Sequence, residues 1–202
     1  MRTQPHTAPG RLRDRLREET EAAILDAAEQ AIGDEGLNAA RVERIAARAG
    51  VSVGTLYNHF KDRSALVTAL YETRAGELRD LLAASLSATA DRPAGEQVRA
   101  MLGAMVRHAG NHRPFFLALM QDNDGPSRLR PPTGARSDMG VFAAQIVARG
   151  IASGEFREDP RAIFAEALVA GARLVLARAI EGKTSDAEVD ALADIFVRGV
   201  SR

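Results

Sequence analysis

The chain has 202 residues, of which 46% are hydrophobic and 27% are charged, and its 27 basic residues balance 27 acidic ones. This composition is that of an ordinary globular chain with enough apolar residues for a core. The lack of cysteine excludes disulfides and thiolate metal sites, and no apolar run approaches the roughly eighteen residues that a membrane span needs. The first residues lack the apolar segment of a secretory signal, so we expect a cytoplasmic protein without a membrane partner.

Charge is distributed unevenly along the first third of the chain. Residues 1–17 carry five arginines and one aspartate, whereas residues 18–35 carry seven acidic side chains and no basic one. Residues 41–63 are basic again, with four arginines and one lysine against Glu43 and Asp62. Basic segments therefore bracket an acidic, solvated helix face, as expected if the basic segments face phosphate. Residues 1–12, with Pro5, Pro9 and Gly10, read as a disordered basic tail of the kind that reaches along DNA in other proteins.

The first helix is predicted over residues 13–35. Ile24, Ala28 and Ile32 recur at i, i+4 and i+8, and Gly36 is a helix stop. This helix is expected to form one wall of a small three-helix core.

Residues 42–61 are typical of a helix-turn-helix. Ala46 lets a second helix cross closely, and Gly50 supplies the positive φ that a tight reversal needs. Ser52 stands at the N-cap position, and Leu56 and Phe60 at i, i+4 face the interior. The other side chains suit phosphates or base edges of a DNA duplex: Val53, Gly54, Thr55, Tyr57, Asn58, His59 and Lys61. The alternative is a helical hairpin in an unrelated bundle.

The sequence AGVSVGTLYNHFKD at residues 49–62, preceded by ILDAA at residues 24–28 and by Gly36, resembles the DNA-binding domain of the TetR family of bacterial transcription repressors. The resemblance covers about residues 20–67, and its most specific part is the Thr-Leu-Tyr-x-His-Phe core. Beyond it, the chain matches the family in length, in helicity and in GIASGEFR at residues 150–157. Arg41 departs from the family, which more often has Ser or Thr at the start of the first motif helix.

The resemblance implies a repressor that binds a pseudopalindromic operator in double-stranded DNA as a homodimer and is released by a small, largely apolar effector. Family positions that mostly hold the phosphate backbone are matched by Thr55, Tyr57, His59 and Lys61. Val53, Gly54 and Asn58 are the candidates for base edges, since a valine packs on a thymine methyl, a glycine permits close approach and an amide pairs with adenine. The predicted DNA-binding residues are Arg41, Ser52, Val53, Gly54, Thr55, Tyr57, Asn58, His59 and Lys61.

The remaining chain is predicted to be helical throughout, with no strand or repeat. A helix capped by Asp62 is expected over about residues 63–89, with leucines 66, 70, 78, 81 and 82 on its inner side. Further helices are expected after Pro93 to about residue 110, at 114–120, at about 135–153 and at 160–181, and a last helix begins after Ser185. A proline-containing loop separates them at 122–137, and Ser185 with Glu188 reads as a capping box. The fold class is therefore all-α, with about nine helices. The domains are the tail 1–12, a DNA-binding domain 13–62 and an effector-binding and dimerisation domain 63–202.

The helix predicted at 160–181 is apolar nearly all round, so it must be buried on more than one side. Together with the last helix it is expected to form a two-fold, four-helix dimer contact. The predicted interface residues are Leu168, Gly171, Val175, Leu176, Leu192, Ile195 and Phe196. Flexible methionine and flat aromatic side chains can line a pocket for an apolar effector, although they can equally form the core. His108 and Arg173 are the candidate polar anchors of such a pocket. The predicted pocket residues are Met101, Met105, His108, Phe115, Phe116, Met120, Phe142, Phe164 and Arg173.

His108 and His112 have the i, i+4 spacing of a metal-binding pair. The sequence favours exposed or capping histidines instead, because the helix is expected to fray at Gly110 and no glutamate lies between them. Glu-x-x-His pairs and phosphate-loop motifs are absent, and no catalytic residue, cofactor or metal is expected. A helical enzyme and a protein-interaction module remain the alternatives.

Overall fold

The computed structural model describes residues 9–121, 138–159 and 163–202, with side chains from residue 12 onward. In these ranges the chain forms nine helices: α1 Pro9–Glu35, α2 Val42–Arg48, α3 Val53–His59, α4 Arg63–Ala88, α5 Ala94–Asn111, α6 Arg113–Gln121, α7 Asp138–Ala152, α8 Phe164–Ile180 and α9 Asp186–Val200. The β pairing found there is a single isolated antiparallel bridge between Phe156 and Ser201. The all-α prediction is confirmed.

The chain divides into two compact units, Met1–Tyr71 and Glu72–Arg202. The division falls inside α4, later than the boundary expected at residue 62. Leu66, Val67 and Leu70 are buried and belong to the first unit, so the first turns of α4 complete the small domain. Residues 1–8, the predicted loop at 122–137 and the predicted helix start at Pro160 lie outside the described residues.

In the first unit, α1 packs on α2 and α2 packs on α3. Ile24, Ala28 and Ile32 of α1 are buried, as their periodicity predicted. The helix begins at Pro9, before the expected start at residue 13 and inside the segment predicted to be a disordered tail. Proline favours the first helical position because its φ is already helical and its missing N–H is not needed there.

The core of the second unit lies between α5, α7, α8 and α9, which pack on one another. Glycines allow two close approaches in it. A Cβ on Gly150 of α7 would lie 2.2 Å from the ring of Phe156, and one on Gly171 of α8 would lie 3.2 Å from Leu192 of α9. Such contacts fix how closely these segments can approach.

Side-chain caps define helix starts in the second unit. Ser185 and Glu188 form the predicted capping box at α9, with the backbone N–H of Ser185 donating to Glu188 at 3.0 Å. Asp159 accepts hydrogen bonds from the N–H groups of Ile163 and Phe164 at 3.0 and 2.8 Å. The described part of α8 thus begins at Phe164, after the expected start near residue 160.

The inner side of α4 differs from the prediction at Leu81, which is exposed although it was expected to face inward. Leu82 is buried and Leu78 packs against the same core, so the buried stripe passes through these two positions. Among the described helices, none combines the length and the apolar character that crossing a bilayer would require.

Candidate nucleic-acid interface

The turn between α2 and α3 is a Schellman motif. Gly50 has φ +70°, the N–H of Val51 donates to the carbonyl of Ala46 at 3.0 Å, and the N–H of Gly50 donates to Ala47 at 3.2 Å. These bonds satisfy the last carbonyls of α2 and reverse the chain within a few residues. A side chain at position 50 would be strained because of the left-handed backbone.

Ser52 caps α3, as the sequence predicted. Its Oγ accepts a hydrogen bond from the backbone N–H of Thr55 at 3.0 Å, and the two hydroxyl oxygens lie 2.9 Å apart. Arg41, at the corresponding position of α2, makes no side-chain cap hydrogen bond. Its departure from the family pattern therefore leaves the start of α2 without a side-chain cap, and its side chain is exposed.

The two sides of α3 are chemically distinct. Leu56 and the following Phe60 are buried, which confirms their predicted place in the core. Tyr57 and Asn58 are exposed, and the Lys61 side chain just beyond the helix is 83% exposed. An aromatic hydroxyl, an amide and an ammonium group thus project from a helix whose opposite side is fixed by packing.

Gly54 is exposed in the first turn of α3, and Val53 and Thr55 beside it are partly exposed. A Cβ on Gly54 would meet only Ser52 Oγ, at 3.7 Å, which is an ordinary contact. The described packing therefore does not require glycine here. Because glycine has no side chain, the backbone at this position can be approached closely by an external partner.

His59 lies differently from the phosphate-contacting position predicted for it. Its side chain is 10% exposed, and Nδ1 lies 3.6 Å from Glu21 Oε2 of α1. The ring is nearly enclosed and faces an acidic group of its own domain. Little of the His59 imidazole is therefore exposed to an external phosphate.

The acidic run of α1 is more than the solvated face that the sequence suggested. Besides Glu21, Asp34 pairs with Arg48 at 2.9 Å and Glu35 pairs with Arg44 at 3.0 Å. The acids at the end of α1 thus offset two arginines of α2. Such partly exposed pairs contribute little stability individually, up to about 1 kcal/mol.

The residues predicted to line an effector pocket are only partly brought together. Met101, Met105 and Phe164 are buried in the main core of the second unit, with Phe142 packed against it. Phe116 instead packs on a smaller cluster formed by Ala109, Ala179 and Ile180. The ring of Phe115, which is buried, lies 5.4 Å from that of Phe116. Met120 is exposed and does not join either cluster, whereas Arg173 is partly buried.

His108 is neither exposed nor a cap, contrary to the prediction. It is 3% exposed, because α5 continues past Gly110 to Asn111 and holds the ring inward, 4.7 Å from that of His112. Burial lowers the pKa of His108 below its usual range, and the neighbouring His112 acts in the same direction.

Two residues of α4 that the sequence analysis did not single out complete this group. Glu77 Oε2 lies 3.3 Å from His112 Nε2, and Glu77 Oε1 lies 2.5 Å from Arg74 Nη1. Arg74 is buried. The available signal was the position of Arg74 between Leu70 and Leu78, where the leucine stripe of α4 is interrupted by a charge at helical spacing.

The predicted dimer residues fall into two groups. Leu168 and Val175 are buried in the core of their own chain, which leaves little of either side chain exposed to a partner. Leu176, Leu192 and Phe196 are partly buried. Ile195 is 69% exposed, and Leu174, which was not assigned, is 61% exposed.

Comparison with known proteins agrees with this geometry. Residues 24–70 match the family model described as bacterial regulatory proteins, tetR family. The HTH-type transcriptional regulator BetI of Klebsiella pneumoniae is 35% identical over 80 residues, which is 40% of this chain and 41% of that protein. BetI of Cronobacter sakazakii is 41% identical over 63 residues, 31% of each chain. The chain thus spans less than half the length of these relatives.

Solved structures extend the likeness to nearly the whole chain. A TetR family transcription regulator from Marinobacter aquaeolei aligns with a TM-score of 0.65 at 20% identity, over 95% of this chain and 98% of that one. The transcriptional regulator FadR from Bacillus subtilis, solved with stearoyl-CoA, aligns with a TM-score of 0.68 at 20% identity, over 89% and 98%. At this identity the likeness establishes the fold.

The fold is thus an N-terminal helical unit that contains a helix-turn-helix, followed in the sequence by a larger helical unit. The match to the tetR family of bacterial regulatory proteins is limited to residues 24–70.

Proposed function

We propose that this protein is a transcriptional regulator, acting as a repressor in the cytoplasm, that binds a pseudopalindromic operator in double-stranded DNA. The observation that carries the proposal is the contrast between the two sides of α3. Leu56 is buried, whereas Tyr57, Asn58 and the adjacent Lys61 are exposed. A helix presenting these groups fits the major groove, where an amide reads a base edge and a lysine meets phosphate.

Roles within the interface follow from position and chemistry. Thr55, Tyr57 and Lys61 are the proposed phosphate contacts, and Val53 with Asn58 are the proposed base contacts. Arg41 and Ser52 flank them at the starts of α2 and α3. Gly54 contributes by leaving room for the DNA. The experiment is to incubate the protein with sheared genomic DNA of its host, sequence the retained fragments and search them for a shared site. A shared inverted repeat supports the proposal, and retention without any common sequence contradicts it.

We propose that the protein acts as a homodimer through α8 and α9. Leu174 and Ile195 are large apolar side chains that lie exposed on these two helices, and the neighbouring Leu192 packs closely on Gly171. A second copy would cover this surface by a two-fold four-helix contact, since a self-complementary patch pairs with itself. Leu176 and Phe196, both partly buried, lie beside it.

We propose that a small, largely apolar effector binds in the second unit and releases the DNA. Met101, Met105, Phe142 and Phe164, which belong to one core cluster, are the proposed lining. The stearoyl-CoA bound by FadR of Bacillus subtilis supports an acyl compound as the first class to test. An effector would act by binding more tightly to a conformation of α4 that moves the α3 helices of the two subunits out of position for DNA. A ligand shifts a conformational equilibrium only if its affinities for the two conformations differ.

A panel of fatty acids and acyl-CoA compounds of increasing chain length tests this effector class. We expect at least one compound to raise the Tm of the protein and to lower its operator affinity at the same concentration. A panel without any compound that does both would contradict an acyl effector while leaving the DNA proposal standing.

A further inference from the structure

We propose that Glu77, His108 and His112 form a binding site for a single divalent transition-metal ion in the second unit. Nothing in the DNA-binding function requires such a site. One ligand atom can be chosen from each of the three residues so that all three atoms lie within 4.8 Å of one another. Two imidazoles and a carboxylate, with a water as the fourth ligand, are the donor set of one class of catalytic zinc sites.

The strongest support comes from the buried ring of His108. Its Nε2 is enclosed and has no hydrogen-bond partner among the described residues. The ring also makes a hydrogen bond to the backbone of Arg74, which must therefore use the other nitrogen. A ligating histidine commonly donates its second ring N–H to a backbone carbonyl, which fixes the tautomer and directs the lone pair of the other nitrogen at the metal.

An unsatisfied buried nitrogen costs about 1–3 kcal/mol, so its persistence calls for an explanation. A metal ion provides one, since it would bind the lone pair that no protein group reaches. His112 lies one helical turn after His108 on α5, and the two rings are 4.7 Å apart. Both imidazoles can therefore turn toward one ion.

Glu77 supplies the carboxylate from a different helix. Its Oε2 lies 3.3 Å from His112 Nε2, a separation close to the roughly 3.3 Å between donor atoms around a tetrahedral zinc ion. The other pairs of ligand atoms lie at most 4.8 Å apart, so each must close by at most about 1.5 Å, which side-chain rotation can supply.

Arg74 is the charged group that opposes a cation here. Its guanidinium binds Glu77 through Oε1 at 2.5 Å, which leaves Oε2 directed at the histidines. An arginine that holds the carboxylate from behind orients it, and its positive charge lowers the affinity below that of a site without it. The site is thus suited to an ion that favours imidazole, such as zinc, rather than to magnesium, which prefers oxygen ligands.

An ion at this position would join α4 to α5, because Glu77 lies on the first and both histidines on the second. Metal binding would then stabilise the folded second unit, by an amount that grows with the logarithm of the free ion concentration once it exceeds the Kd. The prediction can be tested without DNA, so its outcome is independent of the operator proposal.

The test is a zinc titration of the full, untagged protein in competition with a chromophoric zinc indicator. We expect one equivalent to bind to the parent protein, and Glu77→Gln and His112→Asn each to weaken binding at least about tenfold. The matched control is Glu72→Gln, which removes an exposed glutamate from the same helix and should bind zinc as the parent does. Magnesium in excess should not displace zinc.

A second readout guards against misfolded variants. Zinc is expected to raise the Tm of the parent and of Glu72→Gln, and to leave that of Glu77→Gln and His112→Asn nearly unchanged, while metal-free circular dichroism shows all four folded. Zinc binding that is equal in the parent and in folded Glu77→Gln and His112→Asn, or no stoichiometric binding by the parent, would overturn the proposal.

Discussion

At the residue scale, Ser52 links local stability to the proposed DNA contact. Its Oγ accepts from the Thr55 N–H, so Ser52→Ala should lower the free energy of unfolding by about 1 kcal/mol. Ser52→Asp keeps a capping oxygen but places a negative charge at the proposed phosphate surface. We therefore expect urea denaturation to separate the two: the alanine variant loses stability, and the aspartate variant keeps stability and loses operator affinity. Equal stability of Ser52→Ala and the parent would contradict the cap.

Asn58 carries the prediction about base recognition. It is exposed on α3, and an amide pairs with adenine in the major groove. Asn58→Ala should weaken binding by about 1–3 kcal/mol on the preferred operator and relax the preference at one base pair. Fluorescence anisotropy with a set of single-base operator changes measures both effects. A loss of affinity that is the same for every operator variant would place Asn58 on the backbone instead.

Residues on one helix face were predictable, because the spacing of Leu56 and Phe60 is a property of the local sequence. The position of His59 was not, since it depends on Glu21 of α1, and no local pattern shows which acid of that run meets the ring. The cluster of Glu77, His108 and His112 was not predicted either, because it also depends on a contact between two helices. Its carboxylate comes from α4, and only folding brings Glu77 within 3.3 Å of His112.

At the scale of elements, the contact between α7 and the segment after it depends on one glycine. A Cβ on Gly150 would lie 2.2 Å from the buried Phe156 ring, so Gly150→Ala should destabilise the protein by about 3 kcal/mol through overpacking. The matched variant is Gly76→Ala in α4, where a Cβ would meet nothing within 4 Å. It should instead stabilise by about 0.5–1 kcal/mol, because alanine is the better helix former. Denaturant unfolding that shows the same sign for both variants would contradict this packing.

Helix existence and most helix ends followed from the sequence, because glycines, capping residues and apolar periodicity act locally. The Schellman turn at Gly50 and the capping box at Ser185 were both readable in this way. The exposed position of Leu81 was not, since a long helix can rotate its stripe to suit the core it meets. The start of α1 at Pro9 shows that proline near a terminus can open a helix as well as mark a tail.

At the scale of the whole molecule, the chain divides into two compact units at a later residue than the boundary that the sequence suggests. The sequence pattern places the boundary between the units at the cap residue Asp62. The boundary lies after Tyr71 instead, because buried residues in the first turns of α4 belong to the first unit. For the proposed dimer, the sequence points to the last two helices but not to a particular surface on them. When a helix is apolar on all sides, its sequence does not show which side packs into the core of its own chain. In α8 that side includes Leu168 and Val175.

Dimerisation is tested at the exposed positions of α8 and α9. Ile195→Glu should raise the dimer dissociation constant by at least about tenfold, because it places a charge in the middle of a desolvated contact. Leu81→Glu, a charge at an exposed leucine of α4, is the control. Leu176→Glu would be ambiguous, since that side chain also packs on the core clusters. Sedimentation velocity over a concentration series measures the effect, and an Ile195→Glu variant that dimerises like the parent would remove these helices from the interface.

Operator affinity measured across a salt series tests the proposal that the exposed side of α3 lies in a DNA groove. Tyr57→Phe should weaken binding to all sequences about equally. Lys61→Ala should do the same and reduce the slope of log affinity against log salt by about 1, because one phosphate contact is lost. Lys183→Ala removes an exposed lysine of the second unit and should behave as the parent. If Tyr57 and Lys61 can both be replaced without loss of affinity, α3 does not bind DNA in the orientation proposed here.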